Sequence, residues 1–202
     1  MAAAAVIGVC LSAIGVGLVW TTFRETKDAN VIARNAMIGQ LRPWIKISAK
    51  QMGQIRVNED ELSLKIQCKF ENKGESPAIN FCYHTTMYFE DMTSKQLASD
   101  IKGWFNEESN SFDEVNIFRN DDEVRDCEVE HSGRVTGEFS VNLVVAARYQ
   151  SAFSPEYHYT AIMLRIVNVS SGRFLFATLG PNHTSLHRIE LRPRENFAGI
   201  AT

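Results

Sequence analysis

Hydrophobic and polar positions divide the chain into a charge-free N-terminal segment and a longer part in which the two alternate. Residues 2–23 contain no charged side chain, and about 20 mostly apolar residues are enough for a helix to cross a bilayer. The pattern therefore predicts a transmembrane helix over residues 1–23. A cleaved signal peptide would have a basic segment before the apolar run and small residues at its end, whereas this run ends on bulky residues such as Trp20 and Phe23. A buried soluble helix is the third interpretation.

Helical spacing continues beyond the charge-free segment. Between Arg24 and Leu41 there is no proline, and Pro43 disfavours helix at the residue before it. Small, apolar and amide side chains recur on one stripe: Ala29, Ile32, Ala33, Ala36, Met37 and Gln40. This spacing is typical of an amphipathic helix, so we predict a juxtamembrane helix over residues 24–42. Its stripe could pack on the following domain, lie on the membrane or pair with a second copy.

After Pro43 the hydrophobic period changes to two residues. The clearest alternation covers residues 62–70, where apolar and polar side chains follow each other strictly, as in a strand with one buried face. A second alternating run covers residues 79–89. Residues 72–77 between them have turn-forming composition, and Gly74 is free to adopt a positive φ. The pattern predicts that the two strands pair as a β-hairpin.

Residues 93–106 return to a helical spacing, with Thr93 and Gln96 placed as a capping box. The apolar positions of this segment are Leu97, Ile101, Trp104 and Phe105. Further strand candidates cover residues 115–118, 126–130, 139–149, 157–167, 173–179 and 186–191. Short strands at this spacing predict a mainly β fold. In it, the transmembrane and juxtamembrane helices precede an antiparallel, immunoglobulin-like β-sandwich over 43–192 with one short inserted helix, and 193–202 form a tail.

The charge distribution along the chain is uneven although the net charge is only −3. Residues 24–56 carry seven basic and two acidic side chains, whereas residues 106–130 carry ten acidic and two basic ones. Because the flank of a membrane helix that is rich in Lys and Arg tends to remain cytoplasmic, we expect the large domain in the cytoplasm, at the inner membrane. No long basic surface with interleaved aromatic residues is present, so nucleic acid is not an expected partner.

Cysteine usage agrees with a reducing compartment. Cys10 lies in the apolar run, which leaves the odd number of Cys68, Cys82 and Cys127 in the domain, and exported domains usually pair their cysteines. Cys68 shares the parity of the apolar set of its strand and is expected to be a small core residue. Cys82 has the opposite parity to its apolar neighbours, so a disulfide between Cys68 and Cys82 is not expected.

Candidate site residues carry little specific chemistry. The acidic stretch predicts a partner contact at Asp121, Asp122 and Glu123, in a solvated loop that lacks the spacing of a calcium site. His183 and His187 are four residues apart, but the glutamate of a His-Glu-x-x-His motif is missing, which favours a solvated pair. His158, between two tyrosines, is expected to be a packed or edge residue. No catalytic, cofactor or metal site is predicted.

Several segments together resemble a loose group of uncharacterised bacterial and prophage membrane-anchored proteins. The matching segments are IARNA at 32–36, RPWI at 42–45, NKGESPA at 72–78, and the Tyr149, Phe153 and YHYT (157–160) pattern. The resemblance covers most of the chain, and its motifs are structural. It implies a single-pass membrane helix, a juxtamembrane helix, an Arg-Pro-Trp junction and a β-sandwich, and it implies no activity.

These observations lead to the hypothesis of a single-pass membrane protein that presents a non-catalytic interaction domain at the cytoplasmic face of the membrane. The expected partners are the lipid bilayer through residues 2–23 and an unidentified protein. A second copy could bind through the membrane helix, where small residues recur at Ala4, Gly8, Ser12, Ala13 and Gly17. Two alternatives remain open, a periplasmic or surface-exposed binding module and an enzyme with an unrecognised site.

Overall fold

The computed structural model describes residues 2–58, 61–89, 93–107, 115–132, 138–169, 175–177 and 185–194. Within its helices and strands, the backbone alone is described at residues 2–7, 9–11, 13, 38, 94, 107, 132, 138, 175–177 and 185–187. The chain divides into two compact units, residues 1–41 and residues 42–202.

The first unit is one continuous helix, α1 (Ala2–Gln40). Its last backbone hydrogen bond joins the Leu41 amide to the Met37 carbonyl at 2.9 Å, and Pro43 follows two residues later, which confirms the helix predicted up to this point. The described apolar side chains of α1 are exposed: Ile14, Val16, Leu18, Val19, Trp20, Phe23, Val31, Ile32 and Met37. In the part of the chain that the structure describes, no helix meets the length and apolarity needed to cross a membrane.

The second unit is mainly β and contains antiparallel sheets. The first sheet consists of β1 (Ile45–Gln51), β2 (Ile55–Val57), β3 (Glu61–Asn72), β6 (Asp122–Ser132) and β11 (Ser185–His187). The second consists of β4 (Ala78–Tyr88), β5 (Val115–Ile117), β8 (Asn142–Ser151), β9 (Ser154–Asn168) and β12 (Ile189–Pro193). A short pair joins β7 (Glu138–Ser140) to β10 (Leu175–Ala177). In the first sheet β3 lies between β6 on one side and β1 and β2 on the other.

One apolar cluster joins the inner faces of the two sheets, an arrangement consistent with a β-sandwich. The alternation predicted for β3 is confirmed, since its inward residues are at most 1% exposed: Leu62, Leu64, Ile66, Cys68 and Phe70. Phe70 contacts the opposite sheet through Phe81, with ring centroids 5.0 Å apart in an edge-to-face arrangement. Strand parity therefore correctly indicated which side chains of β3 form the core.

The predicted hairpin between residues 62–70 and 79–89 is wrong. β3 pairs with β1, β2 and β6, whereas β4 pairs with β8 and β5. The two consecutive strands therefore belong to different sheets, and residues 72–77 form a crossover between the sheets instead of a hairpin turn.

Asn72 fixes the path of this crossover. Its side chain is fully buried and its amide nitrogen donates to the carbonyl oxygens of Ser76, at 2.8 Å, and Ile117, at 3.0 Å. Its amide oxygen accepts from the backbone N–H groups of Gly74, at 2.9 Å, and Trp44, at 3.3 Å. One side chain thus ties the crossover to both the start of β1 and the end of β5.

The reason for glycine at position 74 also differs from the prediction. Its φ does not lie in the left-handed region. A Cβ at this position would lie 2.5 Å from both the Arg42 carbonyl oxygen and the Trp44 amide nitrogen. Gly74 is therefore required for close backbone approach and not for a positive φ.

The predicted inserted helix is confirmed as α2 (Ser94–Glu107). The capping box is formed, because the Gln96 amide donates to the Thr93 hydroxyl at 3.3 Å and the Thr93 amide donates to the Gln96 side chain at 3.0 Å. The buried face of α2 packs on the outer face of the second sheet, in a second apolar cluster with Leu97, Ile101, Phe105, Cys82, Val144, Ala146, Ala161 and Met163. The central strand β8 is consequently buried on both faces.

Candidate functional site

Helix α2 covers the second sheet, whereas the outward side chains of the first sheet are mostly exposed or half-buried. We call this open surface the charged face; it consists of the outward side chains of β1, β3 and β6. Its members are Lys46, Ser48, Lys50, Lys65, Gln67, Lys69, Glu71, Asp122, Val124, Asp126, Glu128 and Glu130, all exposed or half-buried. Because successive residues of a strand point to opposite sides, the alternation that fills the core also produces this polar surface.

Charges on the charged face are segregated and partly paired. The basic side chains lie on β1 and β3, while most acidic ones lie on the adjacent strand β6. The Lys65 ammonium lies 3.3 Å from the Glu128 carboxylate, and the Gln67 side-chain amide donates to Asp126 at 2.9 Å. The face therefore presents a basic half and an acidic half, joined by cross-strand contacts.

Lys69 is the centre of the best-connected group on this face. Its ammonium lies 2.9 Å from Glu71 and 3.0 Å from Asp122. The hydrogen bond with Glu71, and next that with Asp122, raises the pKa of Lys69, and the hydrogen bond from Lys69 lowers the pKa of Glu71. Lys69 and Glu71 thus remain charged over a wider pH range than isolated side chains would, although exposed pairs of this kind stabilise a fold only slightly.

The three residues predicted as a partner contact do not share one surface. The chain turns at Asn120, which has a φ of 62°, and β6 begins at Asp122. The solvated loop expected over Asp121–Glu123 therefore stops at Asp121. Asp122 points to the charged face and contacts Lys69, whereas Glu123 has the opposite parity and its carboxylate lies 2.7 Å from Arg125. A partner contact at these residues stays a prediction.

A thiol pair lies on the inward side of the β3–β6 ladder. Cys68 lies opposite Arg125 and Cys127 lies opposite Ile66, so the two cysteines are diagonal neighbours on one face of the sheet. The interaction between the two thiols shifts the pKa of each. The Cys127 sulfur also lies 3.7 Å from the Tyr83 hydroxyl on the opposing sheet.

These contacts shift the pKa values of the two thiols in opposite directions. The hydrogen bond from Cys68, and next that from Tyr83, lowers the pKa of Cys127 to about 7, against the effect of burial. The hydrogen bond with Cys127, together with burial, raises the pKa of Cys68. Burial and the Cys127 hydrogen bond raise the pKa of Tyr83 to about 12. Cys127 is thus the thiol that ionises first.

Sequence reasoning recognised Cys68 as a core residue, which is confirmed, but missed its proximity to Cys127. The two are 59 positions apart in the chain, and only the pairing of β3 with β6 brings them together. Cys82 lies in the second apolar cluster, and Cys68, Cys82 and Cys127 are not disulfide-bonded. Cys127 has the same strand parity as the buried Val129. This parity was the signal in the sequence that could have placed Cys127 on the inward face of its strand.

The histidines do not form a common site in the described residues. The His158 ring is half-buried and lies 5.8 Å from the Tyr149 ring, in agreement with the packed or edge position expected for it. Burial, and next the positive charge of Arg42, lowers the pKa of His158. His183 lies outside the described residues, and His187 lies in β11, where its side chain is not described.

Open depressions lie beside the first sheet. One of about 290 Å³ is lined by Gly53, Gln54, Arg56, Ser63, Leu64, Lys65 and Glu128. A second, of about 390 Å³, is lined by Met52, Lys65, Ile66, Asp126, Cys127 and Glu128. Cys127 is half-buried and is among the residues that line the second depression, whereas Cys68 is fully buried.

Comparisons of the chain with protein families, curated proteins and solved structures found no match. A function for this chain must therefore be inferred from the geometry and charge of its described residues.

Proposed function

We propose that the chain is a single-pass membrane protein that presents a non-catalytic, β-rich protein-interaction domain at the cytoplasmic face of a bacterial inner membrane. The observation that carries this proposal is the combination of a charge-free stretch of 22 residues with a separate compact domain. The charge-free stretch would be the anchor, and the domain would bind a partner through the charged face.

The anchor is supported by the composition and exposure of α1. Apolar side chains within residues 14–23 are mostly exposed, with Val16 and Val19 at 70% and Trp20 at 71%. Contiguous apolar surface of this extent is unfavourable in water by about 25 cal/mol per Å². A bilayer would remove that cost, and it would also accommodate a helix of more than 20 residues.

The anchor can be tested with two pairs of lysines in the same helix. The double variant Val16→Lys, Val19→Lys places two charges in the charge-free stretch. A lysine near the centre of a membrane helix makes the free energy of membrane insertion less favourable by about 3 kcal/mol. Val31→Lys with Met37→Lys, at sites that are 50% and 59% exposed, is the matched control outside it. We expect the wild type and the control to remain in the membrane fraction after alkaline extraction, and the first pair to be released. Release of the wild type would refute the anchor.

The cytoplasmic orientation is supported by the basic residues that follow the charge-free stretch: Arg24, Lys27, Arg34 and Arg42. Reporter fusions at Thr202 test it. A green fluorescent protein fusion should fluoresce and an alkaline phosphatase fusion should be inactive. Active phosphatase would instead support the alternative of a periplasmic binding module.

Binding through the charged face is supported by its exposure and by its two oppositely charged halves, a pattern that favours electrostatic complementarity with a partner. A photo-crosslinking residue at Gln67, between Lys65 and Lys69, should capture a specific partner in cells. The same residue at the exposed Lys102 of α2 is the control. Charge reversal by Asp126→Lys with Glu128→Lys should abolish the product at Gln67. An unchanged product, or the same product from position 102, would contradict binding at this face.

A further inference from the structure

We propose that Cys127 and Cys68 form a peroxide-oxidisable thiol pair, in which Cys127 reacts first with a hydroperoxide and Cys68 then closes a reversible disulfide across β3 and β6. This property does not depend on the proposed interaction function. It follows from the placement of the two thiols beside Tyr83.

The order of reaction follows from access. Cys127 is half-buried and keeps some exposed surface, whereas Cys68 has none. A small hydroperoxide can therefore reach Cys127 and cannot reach Cys68 directly. A thiol is oxidised more readily when it is more easily ionised and more exposed. Cys127 is both more easily ionised and more exposed than Cys68.

The surroundings of Cys127 stabilise its thiolate form. As a neutral thiol, Cys127 is within 3.7 Å of the Tyr83 hydroxyl; once the thiol ionises, this hydroxyl and the Cys68 thiol both donate hydrogen bonds to its sulfur. These two donors lower the pKa of Cys127, so that a substantial share of Cys127 is thiolate near neutral pH. The thiolate is the reactive form of cysteine.

The chemistry balances without any further reagent. The Cys127 thiolate attacks one oxygen of the hydroperoxide, an S–O bond forms, the O–O bond breaks, and the departing oxygen takes up a proton. The Cys68 sulfur then attacks the resulting sulfenic sulfur, an S–S bond forms, the S–O bond breaks, and water leaves with the Cys68 proton. Two thiols lose two electrons in total, and the peroxide is reduced by the same two electrons.

The strand register makes the second step feasible. Diagonal neighbours of an antiparallel pair lie about 7–8 Å apart between Cα atoms, beyond the range of about 4.4–6.8 Å that a disulfide requires, so closing the disulfide needs a movement of the backbone. Among the described strands β6 pairs with β3 alone, so a small shift of β6 towards β3 would disturb no second ladder. Both side chains lie on the same face of the β3–β6 ladder, so the two thiols extend to the same side of the sheet.

Cys82 provides an internal control. It is not disulfide-bonded, is 2% exposed and lies in the second apolar cluster beneath α2. The full chain with Cys10→Ser, which removes the remaining thiol of α1, is treated with hydrogen peroxide, denatured, alkylated and mapped by mass spectrometry. We expect a mass lower by two hydrogen atoms, a Cys68–Cys127 peptide link that dithiothreitol removes, and alkylated Cys82. Alkylation of both Cys68 and Cys127 after this treatment would overturn the proposal.

Two variants test the assigned roles. Cys68→Ser should stop the reaction at a Cys127 sulfenic acid, which dimedone traps. Tyr83→Phe removes one donor to the thiolate, so oxidation below neutral pH should slow by about three- to tenfold, the equivalent of one hydrogen bond. Two results would contradict the assignment. The first is a dimedone adduct on Cys68 in the chain that carries only Cys10→Ser. The second is a Cys127–Cys82 disulfide in Cys68→Ser that forms in the same yield as the Cys68–Cys127 disulfide of the parent chain.

Discussion

Replacing Asn72 by alanine should destabilise the domain strongly. The side chain is fully buried and holds backbone groups of Trp44, Gly74, Ser76 and Ile117 through four hydrogen bonds of 2.8–3.3 Å. Alanine would leave all four backbone groups without this partner, in a part of the fold where water has little access.

The magnitude follows from these four contacts. A typical hydrogen bond contributes about 1 kcal/mol net, and a buried group left without a partner costs about 1–3 kcal/mol. The Trp44 contact, at 3.3 Å, is the longest of the four and should contribute least. We therefore expect Asn72→Ala to lower the free energy of unfolding by about 3 kcal/mol, a large share of the stability of an ordinary domain.

Urea unfolding of the purified full chain, followed by tryptophan fluorescence, measures this difference. Asn116→Ala is the matched control, because the Asn116 side chain accepts a single hydrogen bond, from the Asn80 amide at 3.2 Å in an exposed position; it should cost less than about 1 kcal/mol. If Asn72→Ala lies within about 1 kcal/mol of the wild type, the Asn72 side chain does not hold the crossover.

Asn72→Asp separates hydrogen bonding from side-chain volume. An aspartate keeps the acceptor towards Gly74 and Trp44 but loses both donors, and its carboxylate would face the Ser76 and Ile117 carbonyl oxygens. Burial should raise the folded-state pKa of this carboxyl group above its unfolded value. The destabilisation should then be greatest at neutral pH and decrease as the pH falls through the folded pKa. A pH-independent difference from the wild type would refute this explanation.

Other changes probe separate elements. Gly74→Ala should cost about 1–3 kcal/mol through overpacking against the Arg42 and Trp44 backbone, whereas Gly53→Ala, which meets nothing within 4 Å, should be nearly neutral in the same urea assay. Phe105→Ala removes a fully buried ring of α2 and should cost about 3–5 kcal/mol; a loss below about 1 kcal/mol would show that α2 does not depend on this ring. Lys69→Met should lower the melting temperature slightly at neutral pH. Because Lys69 lowers the pKa of Glu71, the difference in melting temperature between the wild type and Lys69→Met should become smaller as the pH falls through the folded pKa of Glu71. A difference in melting temperature that stays the same in acid would contradict a stabilising ion pair.

Strand parity predicted which residues are buried but not which strands are neighbours. The alternation around Leu64 and Cys68 identified the core side of β3, and the same reasoning placed Cys82 on the other side of its strand. The hairpin prediction failed because a hairpin turn and a crossover can have the same length and composition. What decides between them is contact of Asn72 and Gly74 with the chain near Trp44, 28 positions before Asn72, which no local pattern records.

The candidate sites show the same limit. The acidic composition of residues 121–123 is evident in the sequence, but the start of β6 at Asp122 sends the Asp122 and Glu123 side chains to opposite faces. The lysines that contact the acidic strand, Lys65 and Lys69, come from a strand distant in the chain. The Cys68–Cys127 pair likewise depends on the β3–β6 register, and neither could be derived without the sheet order.

The double coverage of β8 has a consequence for local motion. Residues 143–147 have no exposed surface, with the first sheet on one side of them and α2 on the other. If either α2 or the first sheet moved away, the other would still cover β8. The backbone amides of this strand should therefore exchange with deuterated solvent only when the whole domain opens. Deuterium uptake there would report the global unfolding equilibrium, while uptake along β6 would report only local fraying at the sheet margin.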